Sequence, residues 1–303
     1  MFLAKVIRGV PFEDGIEQNH NTEIKTMPLK SLWPYTTFSY SSQYSISLLS
    51  KQEEHRMTFS IIRDRTRKFR RKIRKFRKKI RKTIIFRGSR EERFTRIYKH
   101  NYWGSIESRS GPGSEISYTE NLRRELPKLI KFHGITQILD APCGDFNWMQ
   151  YVCTDTRAIK YIGGDIVKDL VARNNMVYGS EDIMFQYLDI IRDPLPKSDL
   201  MIVRDCLFHF SFKDIHRFLK NFHNSNISFL LTTTHRGIEE ENYDIVTGDY
   251  RKIDLFSTPF CFPGNPVQRI KDYIPPYSPR EVCLFTKDQV SIAYKAFSLN
   301  MKN

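Results

Sequence analysis

The chain lacks most of the marks that assign a protein quickly. Its five cysteines, Cys143, Cys153, Cys206, Cys261 and Cys283, are odd in number, widely spaced and without a C-x-x-C pair. Neither a disulfide framework nor a zinc or redox motif is expected, and a reducing compartment is the simplest reading. No cluster of His, Cys, Asp and Glu has metal-ligand spacing, so no metal is expected. No stretch reaches the ~18 consecutive apolar residues of a membrane-spanning helix. Residues 1–10 are interrupted by Lys5 and Arg8 before a signal-like apolar run forms. A soluble, uncleaved, cytoplasmic protein is the expectation, with peripheral attachment to a membrane surface left open.

Acidic residues are nearly absent from one stretch. Residues 63–82 hold 14 Lys and Arg against Asp64 alone, which leaves 35 basic and 33 acidic residues elsewhere in a chain of formal net charge +15. The body is therefore close to neutral, and its overall basicity says nothing about what a pocket would bind. Within 63–87, Phe69, Ile73, Phe76, Ile80 and Ile84 recur at spacings of 4, 3, 4 and 4. That predicts one helix with a thin apolar stripe. Such a helix suits an anionic membrane or a polyanion, and equally a solvated lead-in whose stripe packs on its own domain. Residues 1–57 are polar, rich in Ser, Thr and Tyr, and without period. A loose extension is expected there, with Met57 a plausible alternative start.

A length of 303 residues suits one domain with a tail. The expected division is a loose extension over 1–62, the basic amphipathic helix over 63–97, and an α/β domain over 98–303. In the segment 119–132, Leu122, Leu126 and Ile130 fall four apart before Gly134, a suitable helix stop. Short apolar runs at 135–139, 161–163, 184–188, 200–203 and 228–231 read as buried parallel strands. Ser211 and Asp214 resemble a capping box opening a helix that buries Phe212, Ile215, Phe218, Leu219 and Phe222. The alternation implies a doubly wound, mostly parallel sheet that binds ligands at the carboxyl ends of its strands. Near the carboxyl terminus, 281–285 and 291–297 are expected to pair as an antiparallel hairpin. The Pro- and aromatic-rich stretch 247–279 is expected to form an irregular lobe over the pocket.

The chemistry concentrates in Ile138-Leu-Asp-Ala-Pro-Cys-Gly-Asp-Phe-Asn-Trp148, where an apolar strand ends on Asp140 and turns through Gly144. A glycine there lets backbone amides approach a ligand closely. Acids recur at later strand ends: Asp165, Asp189 and Asp205. Because parallel strands point one way, these carboxylates line one crevice. Each alone reads equally as a helix cap or turn aspartate, but four in register do not. Asp165 stands 25 residues beyond Asp140, near the ~20-residue offset at which an acid meets ribose hydroxyls. The turn has only Gly144 where a dinucleotide enzyme would need G-x-G-x-x-G for a pyrophosphate. It suits a nucleoside ligand without phosphates, of which S-adenosylmethionine is the commonest.

At this point the sequence resembles the class I methyltransferases, and within them a mostly uncharacterised group containing Leu-Asp-x-Pro-Cys-Gly-Asp-Phe-x-Trp-Met. The likeness runs from about residue 98 to 290. It includes Tyr102-Trp-Gly-Ser105, Ser108-Arg-Ser-Gly-Pro-Gly-Ser114, Arg204-Asp-Cys-Leu-Phe-His209 and Thr232-Thr-Thr234. It implies the Rossmann-like methyltransferase fold and S-adenosylmethionine as cofactor. It also implies that Asp140, Pro142, Gly144 and Asp145 face the methionine part, that Asp165 with Ile166 holds the ribose, and that Leu188 and Asp189 contact adenine. Trp103, Arg109 and Gly111 would close over the site, with Arg204 beside it. Pro142 and Phe146 depart from the family turn, where glycines are frequent, which puts the loop geometry in question.

Methyl transfer needs alignment above all, and a general base only for an unactivated hydroxyl or amine. Asp205 and His209 are the candidates for that base, and His235 a weaker one; the plainer reading of His209, between Phe208 and Phe210, is a buried, satisfied histidine. Arg204 suits an anionic acceptor or a structural carboxylate. Pro142-Cys143 lies in the cofactor turn, and Ile274-Pro-Pro-Tyr277 lacks a leading Asp or Asn and follows the fifth strand. Neither supports a nucleic-acid base as acceptor. The expectation is methylation of a small-molecule or glycan-type acceptor at O or N. The alternatives are a nucleic-acid methyltransferase that grips phosphates through the basic helix, and a non-catalytic membrane-associated adapter that keeps the fold.

Overall fold

A computed structural model of the chain describes residues 63–64, 66–74, 76, 83–155 and 159–301. The extension expected over 1–62 lies outside the described residues, as do Lys75 and residues 77–82 of the basic run. The contacts divide the chain into units 1–69 and 70–303. In the first, residues 63, 64 and 66–69 are helical. In the second, residues 70–74 and 76 are helical, as are 83–85. Of the apolar stripe, Phe69 and Phe76 are 63% and 65% exposed.

The second unit carries seven strands. In chain order it holds α1 (Arg90–Lys99), α2 (Glu120–Phe132), β1 (Gln137–Asp140), α3 (Met149–Asp155), β2 (Lys160–Asp165), α4 (Lys168–Tyr178) and β3 (Ile183–Tyr187). Then follow β4 (Leu200–Val203), α5 (Phe212–Asn224), β5 (Phe229–His235), β6 (Gln268–Lys271), β7 (Arg280–Thr286) and α6 (Lys287–Asn300). The sheet order is β3-β2-β1-β4-β5-β7-β6. The first five strands are parallel, and β7 runs antiparallel between β5 and β6. This is a doubly wound α/β architecture, a mostly parallel sheet with an antiparallel edge. The chain winds outward through β1, β2 and β3, then returns to lay β4 on the other side of β1. The reversal opens a crevice at the carboxyl ends of β1 and β4.

Strand alternation explains the two layers. Ile138, Leu200 and Ile202 face a core shared with α2 and α4, while Leu139, Met201 and Val203 face one shared with α5 and α6. α5 buries Ile215, Phe218, Leu219 and Phe222 completely, worth about 1.5–3 kcal/mol each against exposure. Its amino end has half the expected capping box. The Asp214 amide donates to Ser211 Oγ at 3.2 Å, but the Asp214 carboxylate accepts from Thr247 Oγ1 at 2.6 Å instead of turning back on the cap.

Three expectations are corrected. The antiparallel carboxyl-terminal pair is there, but β6 supplies the partner of β7, and 291–297 lies in α6. Thr286 and Gln289 form a true capping box, and Val290, Ala293 and Phe297 are buried at helical spacing, so 291–297 follows a period near 3.6 and not that of a strand. The irregular stretch 247–279 does not roof the pocket. Ile253, Leu255, Phe260 and Phe262 bury themselves in the core layer of α5 and α6. Finally, residues 83–97 are not a single helix. Gly88 has φ +78°, and Ser89 and Glu92 cap each other to start α1 afresh.

Candidate functional site

One cavity opens at the carboxyl ends of β1 to β4. Asp140, Pro142, Gly144, Asp165, Ile166, Leu188, Asp189, Arg204, Asp205 and His209 all line it, as do Trp103 and Arg109. Of the residues expected at the site, Gly111 and Asp145 do not line it. Gly111 supports Trp103 from behind: it has φ +98°, and a Cβ there would come within 3.1 Å of the Trp103 Cβ. Asp145 clamps the loop at 108–110. Its carboxylate accepts from Ser108 Oγ at 2.9 and 3.0 Å, Ser110 Oγ at 3.0 Å and the Arg109 amide at 2.7 Å.

The turn after β1 is built for close approach. Gly144 has φ +55°, and a Cβ there would lie 2.2 Å from Ser110 Oγ. Its amide donates to Asp165 Oδ2 at 3.2 Å, while the Val167 amide donates to Oδ1 at 3.0 Å. The tip of β2 is thereby tied to the turn. Phe146 takes the left-handed conformation usual for glycine, with φ +59°. It is held there by burial among Tyr161, Tyr178 and Phe185, at ring distances of 5.0, 5.2 and 5.0 Å. The strain of roughly 1–2 kcal/mol is offset by that aromatic packing.

Burial dominates the electrostatics of the strand tips. It pushes the Asp140 carboxyl up to about 7, against the Tyr161 hydroxyl 2.8 Å away and the positive charge of Arg204. Asp165 is likewise pushed up to about 6 by burial, against the amides of Val167 and Gly144. Both are carboxyls whose charged form gains most from a cation or hydrogen-bond donor arriving in the cavity.

Arg204 and Asp205 are committed to each other and to β6 and β7. Arg204 grips Asp272 through Nε and Nη2, both at 2.9 Å, and donates from Nη2 to the Gly113 carbonyl at 2.7 Å. Its guanidinium lies over Trp148. Asp205 accepts from Arg280 Nη2 at 2.8 Å and from Thr233 Oγ1 at 3.2 Å, with Arg204 Nη1 at 3.5 Å. Burial works to raise the Asp205 carboxyl, but the two guanidiniums outweigh it and hold it below its ordinary value. A carboxylate so paired is a poor proton acceptor, so the geometry argues against Asp205 as a base.

His209 has the opposite character. Nδ1 lies 2.7 Å from the Asp249 carbonyl. A carbonyl only accepts, so Nδ1 carries the proton and Nε2 is left with its lone pair on a ring that lines the cavity. Burial pushes the imidazole down to about 4, so it is neutral at physiological pH. Trp103 lies against it, 5.2 Å between ring centroids and 32° from parallel. His235 is also pushed down to about 4 by burial, but its Nδ1 accepts from the Ile253 amide at 3.3 Å and it does not line the cavity.

Sequence reasoning missed one whole wall. Arg90, Phe94 and Tyr98, each four residues apart on α1, line the cavity, as do Ser110, Ser114 and Trp148. The available signal was Ser89-Arg-Glu-Glu92, a capping box that marks a new helix before the expected domain start at 98. Among the described residues, no group of three or more His, Cys, Asp or Glu side chains is placed to hold a metal ion, and no helix is long and apolar enough to cross a membrane.

No protein-family model and no curated protein sequence matches the chain. Solved structures do resemble it. Human N-acetylserotonin methyltransferase in complex with S-adenosylmethionine is 15% identical, with 63% of this chain and 57% of that one covered and a TM-score of 0.45. The magnesium protoporphyrin IX methyltransferase of Synechocystis, with bound S-adenosylhomocysteine, is 10% identical over 62% of this chain and 92% of that one, with a TM-score of 0.43. The 1,6-didemethyltoxoflavin-N1-methyltransferase of Burkholderia thailandensis is 16% identical over 54% and 77%, with a TM-score of 0.42. The match spans little more than half the length of the first of these, and such likenesses concern the fold alone.

Proposed function

We propose that the chain is an S-adenosylmethionine-dependent methyltransferase acting on a small molecule. The observation that carries this is the set of carboxylates Asp140, Asp165 and Asp189 at the ends of β1, β2 and β3 lining one cavity, around a turn that Gly144 keeps open. The donor set fits a nucleoside bearing an amino-acid tail. Asp165 would hold the ribose diol, Leu188 and Asp189 the adenine, and Asp140 with the turn at Gly144 the methionine part. When bound, this cofactor supplies an electrophilic methyl group on a sulfonium.

The chain's own residues do the rest. Trp103, Phe94 and Phe210 line the cavity with rings and exclude water. His209 accepts a proton at Nε2, and the Asp249 carbonyl holds it in the required tautomer. A base held near 4 matches an acceptor that is already acidic, or an amine with a free lone pair, better than an unactivated sugar hydroxyl. This favours a small molecule over a glycan. Asp205, paired with Arg280, holds the end of β4 in place.

The reading is tested by thermal shift of the full chain with S-adenosylmethionine, S-adenosylhomocysteine and NAD. Stabilisation by the first two and not the third is expected. Stabilisation by NAD alone would reject it.

We further propose that the basic segment lies on an anionic membrane surface, with the exposed Phe76 entering the interface. An exposed apolar side chain in a basic stretch favours a lipid surface over a nucleic acid.

A further inference from the structure

The first residue of α1 reaches into the cavity and meets one of the strand-tip acids. Arg90 Nη2 lies 2.6 Å from Asp189 Oδ2 and Nη1 3.5 Å from Asp214 Oδ1, with the arginine side chain only 16% exposed. Among the described residues its buried Nε has no hydrogen-bond partner, and the two carboxylates hold the guanidinium. Both are themselves fixed. Asp189 Oδ1 accepts from the Ile191 amide at 3.1 Å, and Asp214 Oδ2 accepts from Thr247 Oγ1 at 2.6 Å. A carboxylate oxygen accepts at two lone pairs, so Asp189, oriented by Arg90 from one side and its own turn from the other, keeps acceptor capacity for a donor arriving in the cavity.

We propose that Arg90 sets the base specificity of the cofactor pocket, by orienting the Asp189 carboxylate to accept a hydrogen bond from the exocyclic amine of adenine. The proposal rests on the reading that the pocket takes S-adenosylmethionine. Arg90 acts as a positioning residue contributed from outside the wound sheet. A purine with an oxygen in place of that amine would bring an acceptor against an ionised acceptor, a mismatch that leaves both unpaired. Without Arg90 the carboxylate keeps only its bond from the Ile191 amide and can turn about it, and the two purines become more alike.

The test is calorimetric titration of S-adenosylhomocysteine and its deaminated analogue, S-inosylhomocysteine, into the full chain and into R90A and R90K, with thermal melting of each variant. Wild type is expected to prefer the adenine compound by about tenfold or more, the size of a hydrogen bond to a charged group, and R90A to narrow the preference to about threefold or less. R90K keeps a cation beside Asp189 and should keep most of the preference, which also covers the case in which R90A fails to fold. In D214N the Arg90–Asp189 pair remains, so its ratio should match wild type. An R90A protein that weakens both compounds equally, at the wild-type ratio, would show that Arg90 only fastens α1, and would overturn the proposal. A folded wild type that binds neither compound would reject the reading of the pocket itself, and this proposal with it.

Discussion

His209 Nδ1 lies 2.7 Å from the main-chain oxygen of Asp249, which fixes the tautomer of a neutral imidazole facing the cavity. If Nε2 is the proton acceptor, His209→Gln should lower turnover by about 10²-fold or more, with the dissociation constant for S-adenosylhomocysteine unchanged. Steady-state kinetics and calorimetry on the same preparation check this. Equal loss of binding and turnover would instead mark His209 as a packing residue.

Asp140 and Asp165, pushed up to about 7 and about 6 by burial, make cofactor binding depend on pH. In the empty protein they hold their protons to higher pH than ordinary carboxyls do. Their contribution to stability is present below about 3.8 and is lost as pH rises through about 6 to 7. A sulfonium favours the charged form, so binding of S-adenosylmethionine should release protons. Affinity should rise by up to about tenfold per pH unit for each carboxyl below its raised value, then level off. S-adenosylhomocysteine, lacking the sulfonium charge, should show a shallower rise. Titrations at several pH values in two buffers of different ionisation enthalpy measure both effects, and identical pH profiles for the two compounds would contradict this assignment.

The pairing of Arg204 with Asp272 is a structural joint between β4 and the loop after β6. The Asp272 side chain is fully buried, so Arg204→Met leaves a carboxylate whose nearest remaining cation is Arg280 at 3.8 Å. The expected loss is about 3–5 kcal/mol of stability, read by chemical denaturation. A change under about 1 kcal/mol would mean that Arg280 suffices alone.

Much of this was legible in the sequence because β1, β2, β4 and β5 are largely buried and read as apolar runs, while the edge strand β3 is only partly covered. The run at 200–203 coincides with β4, and the others fall within two residues at their starts. The strand-tip acids were legible for the same reason, since a parallel sheet brings every carboxyl end to one edge. What was not legible depends on tertiary choice. Residues 291–297 read as the second strand of a hairpin, yet the Thr286 cap and the burial of Val290, Ala293 and Phe297 make them helical. Asp145 looked like a cofactor ligand in the motif, but its carboxylate turns to the loop at 108–110. Arg90 stood next to a basic run and was absorbed into it, although Ser89 begins a new helix. Asp205 reads as a base until Arg280, 75 residues away, pairs with it.

The basic segment should bind membranes through both charge and apolar contact. The full chain is expected to sediment with vesicles containing phosphatidylserine and not with neutral ones, and F76S should weaken this by up to about tenfold, the loss of a partly inserted ring. Binding to RNA with no vesicle binding would contradict the membrane assignment.

The central claim is that Asp165 holds the ribose of S-adenosylmethionine in this cavity. The most direct measurement is calorimetric titration of S-adenosylmethionine and S-adenosylhomocysteine into the full chain and into Asp165→Ala, with melting curves to show that both are folded. The expected result is saturable one-to-one binding by wild type, weakened roughly 10- to 100-fold in the variant, as for lost hydrogen bonds to a charged group. A folded wild type that binds neither compound, or a variant that binds as tightly as wild type, would contradict it.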